Sequence, residues 1–233
     1  NVYNQRKNNF FSSYSELLDE FSSSSADAQQ TIDNIKNLYP LHPSTANLAT
    51  YYAREAGNSS RSVFEFLASD SIREFLDDEE NFDRGRTITC DYLWDYVQKY
   101  FESDTARFGA VTERYNSHHL SVEAQGENCS RVFKGILLLN ALNNIANSDT
   151  VTPSQKNIEN LFIGTEAWPH LQKILDYFNE KSIIQRQPNG NFSILFTALP
   201  NEEIQTIKEE LNSGNFHYTD QVLKFGDTAN LND

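Results

Sequence analysis

Methionine is absent from this chain, and cysteine, glycine and basic residues are scarce. Each shortage removes a class of function. Cys90 and Cys129 are the only cysteines of 233 residues. They stand far apart with no CxxC, so neither a disulfide framework nor a zinc site is expected, and a reducing cytoplasm is the default setting. The nine glycines fall singly. Neither GxxxxGK[ST] nor GxGxxG occurs, which excludes a phosphate-cradling loop within these residues. Nineteen Lys and Arg face 33 Asp and Glu, a formal charge of −14. A surface this acidic does not grip nucleic acid or anionic lipid over its whole extent. The longest apolar stretch, around Gly135–Leu139, is far too short to span a membrane.

Other motifs are missing too. There is no HExxH, no GxSxG and no calcium-loop pattern of spaced aspartates. His118 and His119 are adjacent, so on a helix they point about 100° apart and do not share a metal. The run Asp77–Asp83 reads as a solvated acidic loop, followed by Arg84-Gly85-Arg86. No catalytic residue and no metal ligand is nominated, so no enzyme activity is expected of this chain by itself. The lack of methionine, an asparagine at position 1 and a polar close at Ala229–Asp233 point to an excised piece of a longer protein.

What is present is helical periodicity. Phe10, Tyr14, Leu17, Leu18 and Phe21 share one helical face, and Ile32, Ile35 and Leu38 share another. Pro43 is placed to open a helix and Gly57 to close it. Ser59 or Ser60 caps the next, with Val63, Phe64, Phe66 and Leu67 as its inward side. Thr89 caps a helix carrying Leu93, Val97, Tyr100 and Phe101. Residues 104–125 read as partly helical, 131–145 as a strongly apolar helix, and Thr152-Pro153 opens another that closes at Gly164.

The best-defined piece runs from Trp168 to Phe196. Leu171, Ile174, Leu175 and Phe178 give a helix. Ile183–Gln187 reads as a strand, and Asn189-Gly190 as a two-residue type I′ turn. Phe192, Ile194 and Phe196 then alternate onto the helices. Helix, strand, tight turn and strand make the second half of a winged helix. The fold class expected is therefore mainly α: a helical bundle followed by a winged-helix domain with a small β-hairpin wing. Charge supports a boundary near residue 125. Residues 1–126 hold 11 basic and 20 acidic side chains, 127–199 hold six of each, and 200–233 hold two and seven. The expected division is 1–125 helical domain, 126–200 winged helix, and 201–233 a last helix with a polar tail. His170, Lys173, Lys181 and Arg186 are the basic residues such a module would offer to DNA. Asp176 and Glu180 lie on the same helix and oppose that use, so packing between domains competes with it.

Residues 38–69, LYPLHPSTANLATYYAREAGNSSRSVFEFLAS, carry a more specific pattern. Tyr39–Pro43, Gly57-Asn58 and Arg61–Ser69 resemble a segment found beyond the nucleotide-binding core of large bacterial P-loop ATPases from phage-defence islands, the BREX-type ATPases and their relatives. Residues 89–101 and Leu199–Glu203 also fit that layout, whereas Ser59-Ser60 departs from its usual Asn-Glu. The resemblance implies a lid-like helical region and a winged helix, as in initiator-type AAA+ ATPases. It implies bacterial origin, and ATP and magnesium as cofactors of the parent protein, with none held here. The implied partners are the remainder of the parent ATPase and neighbouring copies in a homo-oligomer; no membrane is involved. It also makes Arg61, and after it Arg54, the residues expected to reach nucleotide phosphate. An i,i+4 pair of Arg61 with Glu65 is the plain alternative. A free-standing winged-helix regulator or protein-interaction adaptor is the other function this sequence admits.

Overall fold

A computed structural model describes residues 2–23, 26–55, 59–146 and 148–193; at 13, 55 and 59–61 it describes the backbone alone. Ile194, Phe196, the helix expected within 200–211 and the side chain of Arg61 lie outside those residues.

The described chain is mainly helical. Twelve α-helices and two short strands follow in order: α1 Val2–Ser13, α2 Ser15–Ser22, α3 Ala28–Asn37, α4 Pro43–Glu55, α5 Ser59–Leu67, α6 Asp70–Asp77, α7 Glu79–Arg84, α8 Cys90–Ser103, α9 Thr105–Glu123, α10 Glu127–Asn143, α11 Gln155–Phe162, α12 Leu171–Glu180, β1 Gln185–Arg186 and β2 Phe192–Ser193. Short 3₁₀ turns occupy Asp149–Val151 and Trp168–His170.

The apolar run in α10 explains its position. A helix that is hydrophobic on every side must be covered on every side. Its Leu137, Leu138 and Leu139, three consecutive residues, are all fully buried. It packs along α8 and α9, and its other faces meet α4, α11 and α12. The α8–α9 contact is aromatic: the Phe101 and Phe108 rings lie 4.3 Å apart, and Trp94 is fully buried beside Phe101. One apolar cluster extends from Leu41 to Phe192. A second, smaller one joins Phe10, Phe11 and Leu18 to Tyr39.

Four local expectations need correcting. The single helix expected over 10–21 is divided at Tyr14 into α1 and α2. The acidic stretch expected as a loop is instead the end of α6 and the whole of α7. The Asp78 side chain accepts the Glu80 N–H at 2.8 Å, and Glu79 and Glu80 fill the first turn, where the helix dipole favours negative charge. Phe64 was expected inside with Phe66, yet it is 67% exposed while Phe66 is buried; two positions along a helix turn the side chain through about 200°. Ile183 and Ile184 are both buried just ahead of β1 instead of alternating.

The hairpin is present, but its turn differs from the expected form. β1 and β2 are antiparallel, with Arg186 opposite Phe192 and Gln185 opposite Ser193. Gln187 N–H donates to Asn191 O at 2.7 Å and Gly190 N–H to Gln187 O at 2.8 Å. The loop is thus three residues, Pro188-Asn189-Gly190. Only Gly190, at φ +85°, takes the left-handed conformation, the arrangement of a turn closed by a left-handed residue. Pro188, with φ fixed near −65°, suits the first turn position and moves the glycine to the end of the loop.

Candidate functional site

Leu41, His42 and Ser44, within the first part of the stretch that carries the resemblance, form a junction. Leu41 bridges Ile88, and His42 sits fully buried at the start of α4. Its Nδ1 accepts the Ser44 N–H at 3.2 Å, and Nε2–H donates to the Ile163 carbonyl, 3.0 Å away, just after α11. The Ser44 hydroxyl donates to Asn160 O. Orphan donors at the start of α4 and orphan carbonyls at the end of α11 are thus satisfied together. Burial lowers the His42 pKa to about 4, against the opposing pull of the Ile163 carbonyl. The ring is therefore neutral at pH 7, with its proton on Nε2. This histidine is structural.

The expected phosphate contacts belong to α4 and α5. Arg61 lies in the first turn of α5, its side chain outside the described residues. Arg54 is exposed in the last turn of α4, with its guanidinium 4.7 Å from the Tyr51 ring centre. The expected DNA contacts separate into two groups. His170 and Lys173 line one cleft of about 410 Å³, together with Gln125, Glu127, Cys129 and Tyr177. Lys181 stands exposed after α12. Arg186 is turned to other work, donating to Gln155 Oε1 at 2.9 Å and lying 5.7 Å over the Phe192 ring. Glu127 and Glu166 share the cleft with His170 and Lys173, so its charge is mixed.

Beside that cleft is an arginine cluster that sequence reasoning passed over. Arg86 grips the Glu166 carboxylate with both arms of its fork, Nε to Oε1 at 3.0 Å and Nη2 to Oε2 at 3.1 Å. Arg84 and Arg131 each bring a guanidinium nitrogen within 3.8 Å of the same carboxylate. Arg131 also donates to Glu127 and lies 3.8 Å from Asp91; Arg84 pairs with Glu80 at 2.6 Å. The Arg86 hydrogen bonds, ahead of any other influence, hold the Glu166 carboxyl below its ordinary pKa, and Glu166 in turn raises that of Arg86. The same residues, Arg84, Arg86, Arg131 and Glu166, line a second hollow of about 50 Å³ together with Thr87 and others. Two buried polar atoms on its lining residues, Thr87 Oγ1 and Arg131 Nε, have no hydrogen-bond partner. Arg84-Gly85-Arg86 is visible in the sequence, but Arg131 and Glu166 reach it only through the packing of α10 and the turn after α11.

The chemistry available here is electrostatic. Among the described residues no group of His, Cys, Asp and Glu is disposed to hold a metal, and no helix is long and apolar enough to cross a membrane. Cys90 is fully buried and its thiol pKa is driven well up by that burial. Cys129, on the larger cleft, is also raised by burial, with Lys173 pulling the other way. Neither is an activated nucleophile, because reactivity follows the thiolate. No protein-family model, curated protein or solved structure matches the chain.

Proposed function

We propose that this chain is a non-catalytic segment of a larger bacterial ATP-binding protein of the phage-defence type, acting as a lid-like helical body and as a contact for the rest of its parent. The observation that carries the reading is the 38–69 pattern, which includes the His42 junction between α4 and α11. A junction tied by hydrogen bonds at both ring nitrogens gives a rigid body, which a lid moving as a unit requires. The finer assignment belongs to the same proposal: α10, α11, α12 and the hairpin form a winged-helix module. Its use is contact with protein. Glu127 and Glu166 beside His170 and Lys173 repel a phosphate backbone, and Arg186 is already engaged.

In the parent protein, Arg61→Ala is expected to lower ATP hydrolysis by about tenfold or more, as loss of a phosphate-contacting arginine does in other phosphoryl-transfer enzymes, with the fold intact by circular dichroism. The 233-residue chain alone should turn over no ATP. Sustained hydrolysis by the isolated chain, or an unchanged rate in the Arg61→Ala parent, overturns the proposal. A salt-dependent shift of duplex DNA by the isolated chain would instead favour the alternative, a winged-helix DNA-binding regulator.

A further inference from the structure

We infer that α1, α2 and α3 form a salt-sensitive flap that opens from the body as one unit about Leu38 and Tyr39, and that its closed position covers the His42 junction. The first observation is a divided core. Phe10, Phe11, Leu18 and Tyr39 make an apolar cluster of their own, separate from the one that runs from Leu41 to Phe192. The three helices are also joined to one another. α2 packs along α3, and the Lys7 ammonium on α1 donates to Asn37 Oδ1 at the end of α3 at 3.3 Å. The Phe10 ring lies 5.1 Å from that of Tyr14 and 6.2 Å from that of Tyr39. The second observation places the hinge. From Pro40 onward the chain is bonded to the body: Ile88 N–H donates to Pro40 O at 2.9 Å, and His42 N–H to Ile88 O at 3.0 Å. Tyr39, one residue earlier, belongs to the flap, and its carbonyl accepts the Tyr3 hydroxyl. Rotation of the backbone between α3 and Pro40 therefore moves the flap and leaves the junction bonded.

The flap meets the body through α2 and α3 along α4, through two ionic tethers and through one aromatic seat. Arg6 pairs with Asp83 at 3.5 Å, with side chains 26% and 76% exposed. Lys156 reaches Glu20 at 3.0 Å, and the Asn160 amide donates to the same carboxylate at 3.0 Å. Ion pairs this open to water contribute little net stability and are screened by salt. The seat is Gly164. A Cβ there would stand 2.5 Å from the Tyr14 ring and 3.0 Å from that of Phe10, so the rings rest where only a glycine admits them. Phe10 also lies edge-on to His42, with 5.9 Å between ring centres. The body is held differently, by α10 buried among α4, α8, α9, α11 and α12. Segments of a native protein open at free energies that follow such differences in packing, so the flap opens more readily than the body unfolds. The open form is a minor species of the native protein, and it bares the Gly164 turn and the edge of His42. The inference stands apart from the reading of the chain as an ATPase segment, and its test uses the 233-residue chain alone.

The test is native-state hydrogen exchange read by mass spectrometry, at about 0.05 and 0.5 M sodium chloride, where screening differs several-fold in range. Peptides from α1, α2 and α3 should share one opening and exchange at least about tenfold faster than those from α8 and α10. Salt should speed exchange in the flap by about two- to fivefold, the worth of exposed ion pairs, and leave α8 and α10 unchanged. Glu20→Gln, which removes one tether, should do the same at low salt and converge with wild type at high salt. Tyr14→Ala, which empties the seat, should speed the flap by about tenfold or more with α10 still protected. Exchange in α1 alone, with α2 and α3 as slow as α10, would reduce the flap to an end that frays. The inference is also overturned if α1–α3 and α10 exchange at one common rate, if salt and Glu20→Gln leave the flap unchanged, or if Tyr14→Ala speeds α10 as much as α1–α3.

Discussion

His42 is where one side chain does most for the fold. Both ring nitrogens are engaged, one accepting from Ser44 and one donating to Ile163, an arrangement only the neutral Nε2–H tautomer supports. Protonating Nδ1 would turn an acceptor into a donor facing the Ser44 N–H. The native pKa is lowered to about 4 from 6.5, so the unfolded chain takes up the proton first. Stability from this residue is complete above pH 6.5 and is lost as pH falls toward 4, a window worth on the order of 3 kcal/mol. The urea midpoint of the wild type should fall across that window. His42→Asn keeps a helix-capping oxygen but cannot reach Ile163. It should be about 1–3 kcal/mol less stable at neutral pH and should lose most of the pH dependence between 4 and 6.5. An unchanged pH profile in that variant would show that other groups govern acid sensitivity. His42 lies in the sequence between Leu41 and Pro43, within the stretch that carries the resemblance. Its partner Ile163 is 121 residues away, and that contact is not legible there.

At the scale of elements, close packing is found where α10 crosses its neighbours. A Cβ built on Gly135 would stand 2.8 Å from Phe162 Cζ and 2.9 Å from Cys90 Sγ, so α8 and α11 approach α10 more closely than any side chain would allow. Gly109 on α9 is the natural control, since its Cβ would meet nothing nearer than Thr105 Cβ at 3.8 Å. Alanine gains about 1 kcal/mol of helix propensity at either position. Overpacking in a filled core costs about 1–3 kcal/mol, and Phe162 and Cys90 are fully buried with no room to withdraw. Gly135→Ala should therefore be destabilising and Gly109→Ala neutral or stabilising, measured side by side by urea denaturation. Equal effects would mean that α10 shifts to admit the methyl group. Helices were legible wherever an apolar stripe repeats every three to four residues, as in α8 and α12. The acidic stretch was misread because its charges, which look like those of a solvated loop, cap and line the first turn of α7. The hairpin was legible from Asn189-Gly190, but the turn type was not, because Pro188 lengthens the loop by one residue. The arginine cluster was illegible for a different reason. Arg86, Arg131 and Glu166 belong to three separate stretches of chain, and no local pattern records that they meet.

For the whole molecule, the division of charge near residue 125 and the continuity of the core make different forecasts for unfolding. A boundary there would separate α9 from α10, yet these two helices pack along each other and α10 also lies along α8. Trp94, Phe101 and Phe108 on the first side belong to the same apolar cluster as Phe133, Leu138 and Phe178 on the second. A chain cut at 125 would leave the apolar face of α8 and α9 in water. Each large side chain returned to solvent forfeits about 1.5–3 kcal/mol, and a few such losses equal the entire 5–15 kcal/mol by which domains of this size are stable. Residues 1–125 expressed alone should therefore lack near-ultraviolet circular dichroism from Trp94, the only tryptophan in that piece, and should melt without a cooperative transition. In the 233-residue chain, tryptophan fluorescence and far-ultraviolet circular dichroism should report a single coincident unfolding of the described body. A piece 1–125 that melts cooperatively, or two separated transitions in the full chain, would establish that the change in charge at 125 marks a boundary between domains that fold independently.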